Sequence, residues 1–406
     1  MATIKQFRPY RYTAKAGDPA KLLTQPYDKI NSKMQAEYLA ASPYNLVRVI
    51  LGERHASDND SDNVYTRAAN HLNHWIRDGI LAQDPAPGLY AYSQEFQVPD
   101  TGERALRKGF IGIGKIEDYS ANIVHRHEQT LSGPKKDRLE LLRHTRSHFG
   151  QIFMLYPDPE GSVDHLLDEA AQATPVLNML DGDGSRHRAW AITQPEKIAR
   201  IQELMAPKKL LIADGHHRYE TALAYRNENP GDAAAEYVMM TFVSMHSPGL
   251  KILATHRVLH NLDTARGFQT PPGWTSRSES LDGVKRVFST PRPDRVRIGV
   301  AMKGGFTLLD RPRQSGEMDV PVLHREIIGG RLGISEEAVR DEKFIHYVRG
   351  IDAAAAEVAA GADIAFLLEP TPIDDMARIA FAGGVMPQKS TDFYPKLLSG
   401  VTIYRL

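Results

Sequence analysis

The chain of 406 residues contains no cysteine, which excludes disulfide bonds, thiolate metal ligands and cysteine nucleophiles. It also lacks an excess of charge, because 50 Lys and Arg residues balance 50 Asp and Glu residues. No overall field therefore attracts nucleic acid or an anionic membrane. No apolar run approaches the roughly 20 residues of a transmembrane helix, and the opening stretch MATIKQFRPYRY lacks the apolar region of a signal peptide. We expect a cytoplasmic protein that binds neither nucleic acid nor a membrane.

Several familiar site signatures are missing as well. The glycines of Gly109-Phe-Ile-Gly-Ile-Gly114 do not have the GxGxxG spacing of a dinucleotide-binding loop, and the alternation of this segment suits a strand. The segment Asp181-Gly-Asp-Gly184 lacks the spacing and the terminal glutamate of a calcium loop, so we interpret it as a turn. The HExxH pattern of zinc proteases is also absent.

The composition is that of a folded protein, with 42% hydrophobic and 25% charged residues. Alternating strand-like and helix-like segments predict an α/β (α+β) fold with mixed sheets and flanking helices. The prolines between residues 270 and 295 mark the best domain joint. We therefore predict an N-terminal and central domain over 1–270 and a C-terminal α/β region over 271–406. Among the shorter segments, the alternating stretch Asn45–Leu51 predicts a strand.

One stretch, Lys209–Arg226, dominates the search for a site. Four apolar residues, Leu210 to Ala213, predict a buried strand, and a helical pattern begins by Tyr219. A helix start offers unpaired N–H groups and partial positive charge, which favour an anion. Between strand and helix lie a carboxylate, a glycine that permits close backbone approach, two histidines and an arginine that can bind two phosphate oxygens. These residues are Asp214, Gly215, His216, His217 and Arg218. The pattern indicates a phosphate site, although Asp-Gly is also an ordinary turn.

A second polar cluster lies at positions 125–128. His125 and His127 would point to one side of a strand and Glu128 to the other. A helix over about 135–149 follows and carries Arg138 in its first turns. The two histidines suit a metal site completed by a distant carboxylate, and a solvated charged loop is the alternative.

A third polar segment lies near the C-terminus, at Met386–Lys396. It combines Lys389, Ser390 and Thr391 with Lys396, and cations beside hydroxyls form a small anion-binding set. The alternative is a surface turn held by the prolines of this segment.

Several spaced motifs resemble those of the bacterial and archaeal family called domain of unknown function 1015. They are QPYDKI, SPYNLVRV, HRHEQT with KKDRLELL, IADGHHRYETALAYR, THRV and MPQKSTDFYPKL. In addition, IADGHHRYETA is similar to the phosphate-binding box of the ParB/sulfiredoxin superfamily, which includes CTP-hydrolysing partition proteins and a free-serine kinase. This similarity implies a ParB/sulfiredoxin-like nucleotide- or phosphate-binding core, with phosphate held at Gly215, His216, His217 and Arg218. Sulfiredoxin chemistry is excluded because it requires a cysteine.

The leading hypothesis is an enzyme that transfers or hydrolyses the phosphoryl group of a small metabolite. The resemblance favours serine or phosphoserine as substrate, as in a serine kinase-like phosphotransferase or a phosphoserine phosphatase. Glu128 would be the general base, and His127 or His216 the acid partner. Arg138 would pair with a substrate carboxylate, and Lys389 and Ser390 would help to neutralise the phosphate. Mg²⁺ on Asp214 or Glu128 is expected if a nucleotide (ADP, ATP or CTP) takes part.

Two other functions stay open. One is a nucleotide-binding regulatory switch that responds to CTP or ATP without metabolic turnover. The other is a metal-dependent hydrolase that uses the histidines at positions 125, 127, 216 and 217.

Overall fold

The computed structural model describes residues 1–99, 101–128, 132–262, 268–387 and 389–406. The chain forms two compact units. The first contains Met1–Val98, Gly102–Leu250 and Pro395–Leu406, and the second contains Pro99–Thr101 and Lys251–Tyr394. The second unit is therefore an insertion in the chain of the first, and the proline-punctuated segment 270–295 lies within it.

The first unit is built on a mixed sheet of nine strands. In chain order these are β1 (Ile4–Lys5), β2 (Leu89–Gln97), β3 (Arg104–Lys115), β4 (Val124–His125), β5 (Ile152–Tyr156), β6 (Leu177–Leu180), β7 (Arg186–Ile192), β8 (Leu210–Asp214) and β9 (Tyr237–Ser244). Their order across the sheet is β4-β8-β5-β9-β3-β2-β7-β6, and β1 pairs with the end of β3. The pairs β4–β8 and β5–β9 are parallel and the others are antiparallel.

Seven helices accompany this sheet in the described part of the first unit. They are α1 (Ser32–Ala41), α2 (Val47–Ile50), α3 (Val64–Arg77), α4 (Ser132–Thr145), α5 (Ser162–Ala170), α6 (Pro195–Met205) and α7 (His216–Glu228). Single 3₁₀ turns occur at Ala14–Ala16, Pro19–Lys21, Tyr27–Lys29 and Tyr119–Ala121. Two short ribbons pair Tyr10–Tyr12 with Leu81–Gln83 and Ser147–His148 with Tyr404–Arg405. The main core packs apolar faces of α5, α6 and α7 against the central strands, which is how an amphipathic helix is stabilised in a protein.

The second unit contains an antiparallel sheet of six strands. These are β10 (Thr255–Leu259), β11 (Thr275–Glu279), β12 (Arg295–Met302), β13 (Gly305–Pro312), β14 (Ile345–Arg349) and β15 (Ile364–Leu367), and their order is β11-β13-β12-β15-β10-β14. A separate ribbon pairs Lys251–Leu253 with Asp392–Tyr394. The helices are α8 (Leu281–Phe288), α9 (Asp319–Val322) with a following π-helix at Leu323–Gly329, α10 (Glu336–Arg340), α11 (Ile351–Ala359) and α12 (Ile373–Phe381). Two apolar clusters form the core of this unit.

The prediction of mixed sheets with flanking helices is confirmed. The predicted strand at Asn45–Leu51 is wrong, because residues 47–50 form the short helix α2. The side chain of Asn45 accepts a hydrogen bond from the Val47 N–H at 2.9 Å, and such a local contact competes with a strand ladder. Across the described residues, no helix is long and apolar enough to span a bilayer.

Candidate functional site

The junction between β8 and α7 has the predicted strand–glycine–helix form. Leu210 to Ala213 are buried, because β8 lies inside the sheet between β4 and β5. Gly215 precedes the first residue of α7 and has a φ of +93°, a conformation that L-residues with a side chain rarely adopt. The hydroxyl of the buried Tyr219 then fixes α7, since it donates to the Glu117 carbonyl at 2.7 Å and accepts from the Glu117 N–H at 2.8 Å.

Asp214, the last residue of β8, lies among cations from the adjacent helix and from distant parts of the chain. Its Oδ2 accepts from Arg218 Nη2 at 2.9 Å, and its Oδ1 lies 3.4 Å from Lys396 Nζ. The Lys396 side chain is only 8% exposed, so this is a largely buried ion pair. Burial alone would raise the pKa of the Asp214 carboxyl, but Lys396, Arg218 and Lys29 together lower that pKa well below its usual range. Three cationic side chains therefore act on one carboxylate, which is ionised at neutral pH.

The guanidinium of Arg218 is held beside two glycines. A Cβ added to Gly215 would lie 3.0 Å from Nε and Nη2, and a Cβ added to Gly150 would lie 3.1 Å from Nη1. Nη1 also donates to the Gln151 carbonyl at 2.6 Å. Glycine at both positions thus permits close backbone approach, and the contacts with Asp214 and Gln151 fix the orientation of the guanidinium plane.

Arg218 lines a cleft in the first unit together with Arg138 of α4. The other polar lining residues are Tyr27, Ser147, His148, Thr221 and Ser399. The cavity measures about 70 Å³, which corresponds to roughly five water-sized spheres. A cavity of that size is large enough for a phosphate or carboxylate group.

Arg138 is positioned from three sides. It donates to the Ile50 carbonyl at 2.6 Å, pairs with Asp137 of the same helix, and lies 4.2 Å from the centroid of the Tyr27 ring. Burial is the main reason that the pKa of Tyr27 is raised to about 12, so its hydroxyl keeps its proton at neutral pH. The predicted binding residues Arg138 and Arg218 are therefore brought to one cleft.

Two of the predicted histidines also meet beside this junction. The rings of His127 and His216 pack edge to face with centroids 4.7 Å apart. His127 Nδ1 donates to the Ile212 carbonyl at 2.8 Å, because a carbonyl oxygen can only accept. Within the described residues, His216 Nε2 is buried and has no hydrogen-bond partner. Residues 124–125 pair with β8 at Leu210 and Leu211, which explains why the polar segment after β4 reaches the start of α7.

Burial lowers the pKa of His127 to about 4. Burial, reinforced by the neighbouring His127, lowers the pKa of His216 well below its ordinary value. Both rings are therefore neutral at pH 7. Each neutral ring has one nitrogen with a lone pair that can accept a proton, and neither ring carries the second proton that a general acid would donate. The acid role predicted for these two histidines requires that a proton first be delivered to them.

Glu128 and His217 are half-buried, and the catalytic role of Glu128 stays a prediction. Gln129 and Thr130 of the same motif lie outside the described residues. Asp214 does not fit the predicted Mg²⁺ role, because both of its oxygens already face cations and a metal would be repelled by them. Of the two predicted Mg²⁺ ligands, Glu128 would then be the one that remains, and it would supply one carboxylate.

The third predicted segment belongs to the second unit. There the Lys389 carbonyl accepts from Arg257 at 3.1 Å, and the Ser390 hydroxyl donates to the Pro387 carbonyl at 2.6 Å. The participation of Lys389, Ser390 and Thr391 in anion binding stays a prediction.

Three residues that act on the site were not assigned to it from the sequence. Tyr27 and Lys29 form a single 3₁₀ turn within the QPYDKI motif, which the sequence marks only as a family feature. Lys396 was grouped with Lys389, whereas the structure pairs it with Asp214, 182 positions away. The only signal in the sequence was the resemblance of QPYDKI to a family motif.

The fold and this cleft define an α+β protein with a cation-rich cleft beside a strand–glycine–helix junction. The profile of the family described as "Protein of unknown function (DUF1015)" matches residues 4–320, and the chain belongs to this family. Among curated proteins, no sequence matches the chain.

Solved structures similar to the chain include a free serine kinase variant in complex with ADP, with 11% identity and a TM-score of 0.37 over 67% of this chain and 84% of that one. A conserved hypothetical protein from Pyrococcus furiosus also has 11% identity and a TM-score of 0.37, over 69% and 91% of the two chains. SbnI from Staphylococcus aureus, with a C-terminal truncation, has 10% identity and a TM-score of 0.36 over 72% and 87%.

Proposed function

We propose that the cleft of the first unit binds the phosphoryl group of a small metabolite at the start of α7, and that the protein transfers or hydrolyses this group. The observation that carries the proposal is the set of cations around Asp214. Lys29, Arg218 and Lys396 bring three positive charges to one carboxylate. Such a group of cations makes this region electropositive, which favours the binding of an anion in the cleft that Arg218 lines.

The start of α7 adds to this attraction. α7 has 13 residues, and the first N–H groups of such a helix lack intrahelical partners and carry partial positive charge. Arg218 lies in the first turn, so its guanidinium and the N–H groups converge on the same region. Phosphoryl transfer depends mainly on such positioning and on neutralisation of charge.

The second arginine of the cleft suggests the class of substrate. Arg138 lines the same cavity as Arg218, and a planar guanidinium suits bidentate binding of a carboxylate. A small molecule that carries a phosphate at one end and a carboxylate at the other would use both arginines. Phosphoserine has these two groups, and serine with a nucleotide donor (ADP, ATP or CTP) is the corresponding kinase substrate.

Proton transfer in this proposal uses acceptors at the start of α7 and in the segment that follows β4. Glu128 serves as the general base for a hydroxyl or a water. The neutral imidazoles of His127 and His216 provide further acceptors, since their lowered pKa values keep them unprotonated at pH 7.

The test is an assay of the purified chain with phosphoserine, and with serine plus ADP, ATP or CTP. We expect phosphate release or transfer in one of these mixtures, and we expect Arg138→Met to raise KM for the carboxylate substrate at least tenfold. Arg143→Met is the matched control, because Arg143 lies on the same helix but pairs with Glu228 and Glu140 at the surface. Absence of turnover in every mixture would refute the enzymatic proposal. Stabilisation by CTP or ATP without turnover would instead support the regulatory switch.

A further inference from the structure

The second unit contains a cluster of two histidines and a glutamate outside the cleft described above. His260 follows the last residue of β10, His346 lies in β14, and Glu357 lies on α11. His260 Nε2 is 3.0 Å from His346 Nδ1, and His346 Nε2 is 2.5 Å from Glu357 Oε2. All three side chains are half-buried, so solvent reaches the cluster.

The contact with Glu357 determines which nitrogen of His346 carries the proton. An ionised carboxylate only accepts hydrogen bonds, so His346 Nε2 is the protonated nitrogen. In the neutral ring the other nitrogen, Nδ1, then presents a lone pair towards His260 Nε2. Without a metal, His260 donates its Nε2–H to this lone pair. In its other tautomer His260 carries the proton on Nδ1, and its Nε2 then presents a second lone pair towards His346 Nδ1.

The two facing nitrogens have the spacing of a chelate. Imidazole nitrogens bind zinc at about 2.0–2.1 Å, and two such bonds at 90–109° place the nitrogens about 2.9–3.4 Å apart. The observed 3.0 Å falls within this interval. The rings are also nearly parallel, with an interplanar angle of 17° and centroids 4.7 Å apart.

We propose that the second unit binds one divalent transition-metal ion of the zinc class through His260 Nε2 and His346 Nδ1. Glu357 orients His346 and raises the basicity of its ligating nitrogen, as carboxylates commonly do behind metal-bound histidines. Water fills the remaining positions. When the ion binds, the proton of the neutral His260 ring lies on Nδ1 instead of Nε2, because Nε2 becomes a ligand. Imidazole selects zinc, nickel, cobalt or copper over magnesium and calcium.

The proposal is tested with chain that carries no histidine tag and has been treated with a chelator. Zn²⁺ titration by calorimetry and Co²⁺ titration by visible absorption should each show one site per chain, and Mg²⁺ should show none. His260→Ala and His346→Ala should each weaken Zn²⁺ binding at least 100-fold. Glu357→Gln should weaken it by about 10- to 100-fold, the effect typical of an orienting carboxylate.

His165→Ala is the control, because His165 is exposed on α5 of the first unit; it should leave the Zn²⁺ affinity unchanged. Circular dichroism checks that each variant is folded. Equal affinity of the wild type and both histidine variants would overturn the site, and equal affinity of Glu357→Gln would overturn the role of Glu357.

A measurement on the wild type removes the dependence on variants. Nitrogen-15 spectra of the histidine rings should show His260 changing from the Nε2–H to the Nδ1–H tautomer when Zn²⁺ is added. Unchanged tautomers at saturating Zn²⁺ would refute the proposed coordination.

Discussion

Substitution of Gly215 by alanine gives the sharpest test of the strand–glycine–helix junction. The new Cβ would lie 3.0 Å from Nε and Nη2 of Arg218, closer than such contacts normally allow. The guanidinium would have to move, and its 2.9 Å contact with Asp214 would be disturbed. We therefore expect the substitution to affect both stability and anion binding.

The magnitudes follow from the backbone and from the lost contacts. Left-handed backbone costs a residue with a Cβ about 1–2 kcal/mol, and the φ of +93° lies beyond the most favourable left-handed values. With the displacement of Arg218, the free energy of unfolding should fall by about 2–3 kcal/mol. A hydrogen bond to a charged group contributes about 1.5–3 kcal/mol, so phosphate affinity should fall roughly 10- to 100-fold.

Gly161→Ala provides a matched control. Gly161 also precedes a helix of the first unit, α5, and has a φ of +65°, but a Cβ added there meets nothing within 4 Å. We expect a loss of about 1 kcal/mol and no change in anion affinity. Urea unfolding measures the stability of both variants, and calorimetry with inorganic phosphate and with phosphoserine measures binding. If Gly215→Ala bound both anions as tightly as the wild type, Arg218 and the start of α7 would not form the phosphate site.

Three further predictions concern charged residues. Asp214→Asn leaves Lys396 and Arg218 without their carboxylate, so the free energy of unfolding at pH 7 should fall by about 3–5 kcal/mol. In the wild type the pKa of Asp214 is lowered, so the stabilisation by its ionised carboxylate is fully present above the ordinary aspartate pKa of about 4 and is lost as the pH falls further. Urea unfolding at several pH values should show this dependence in the wild type but not in the variant. Burial raises the pKa of Asp164 to about 6, so the folded chain binds this proton more tightly than the unfolded chain, and the free energy of unfolding rises as the pH falls through 6. The urea midpoint of Asp164→Asn should therefore exceed that of the wild type by more at pH 7.5 than at pH 5. Lys396→Met should weaken phosphate binding about tenfold in calorimetry. The parallel variant Lys389→Met tests the predicted role of Lys389, and an unchanged phosphate affinity would remove Lys389 from the site.

Local signals in the sequence were sufficient for the junction itself. The apolar run Leu210–Ala213 and the glycine at position 215 report on their own neighbourhood, and both behave as expected. α7 begins at His216, slightly before the helical pattern is visible, because its first turn consists of polar residues.

Other features depend on contacts that no local pattern contains. The alternation of residues in Asn45–Leu51 resembles a strand with one exposed face. All of these residues are buried or half-buried in the structure, so the alternation does not mark an exposed and a buried face. The pairing of Lys396 with Asp214 spans 182 positions. The lowered pKa values of His127 and His216 arise from burial, which tertiary packing determines, so the sequence could identify the imidazoles but not their protonation state.

Because the second unit is inserted in the chain of the first, Asp214 and Lys396 are synthesised at different times. Lys396 leaves the ribosome 182 residues after Asp214, a delay of about 10–40 s at usual rates of synthesis. During this interval β8 and α7 have been synthesised, but Lys396, whose ammonium faces the Asp214 carboxylate, has not. A nascent chain that stalls within residues 251–394 would therefore contain Asp214 and Arg218 but not the ion pair between Asp214 and Lys396.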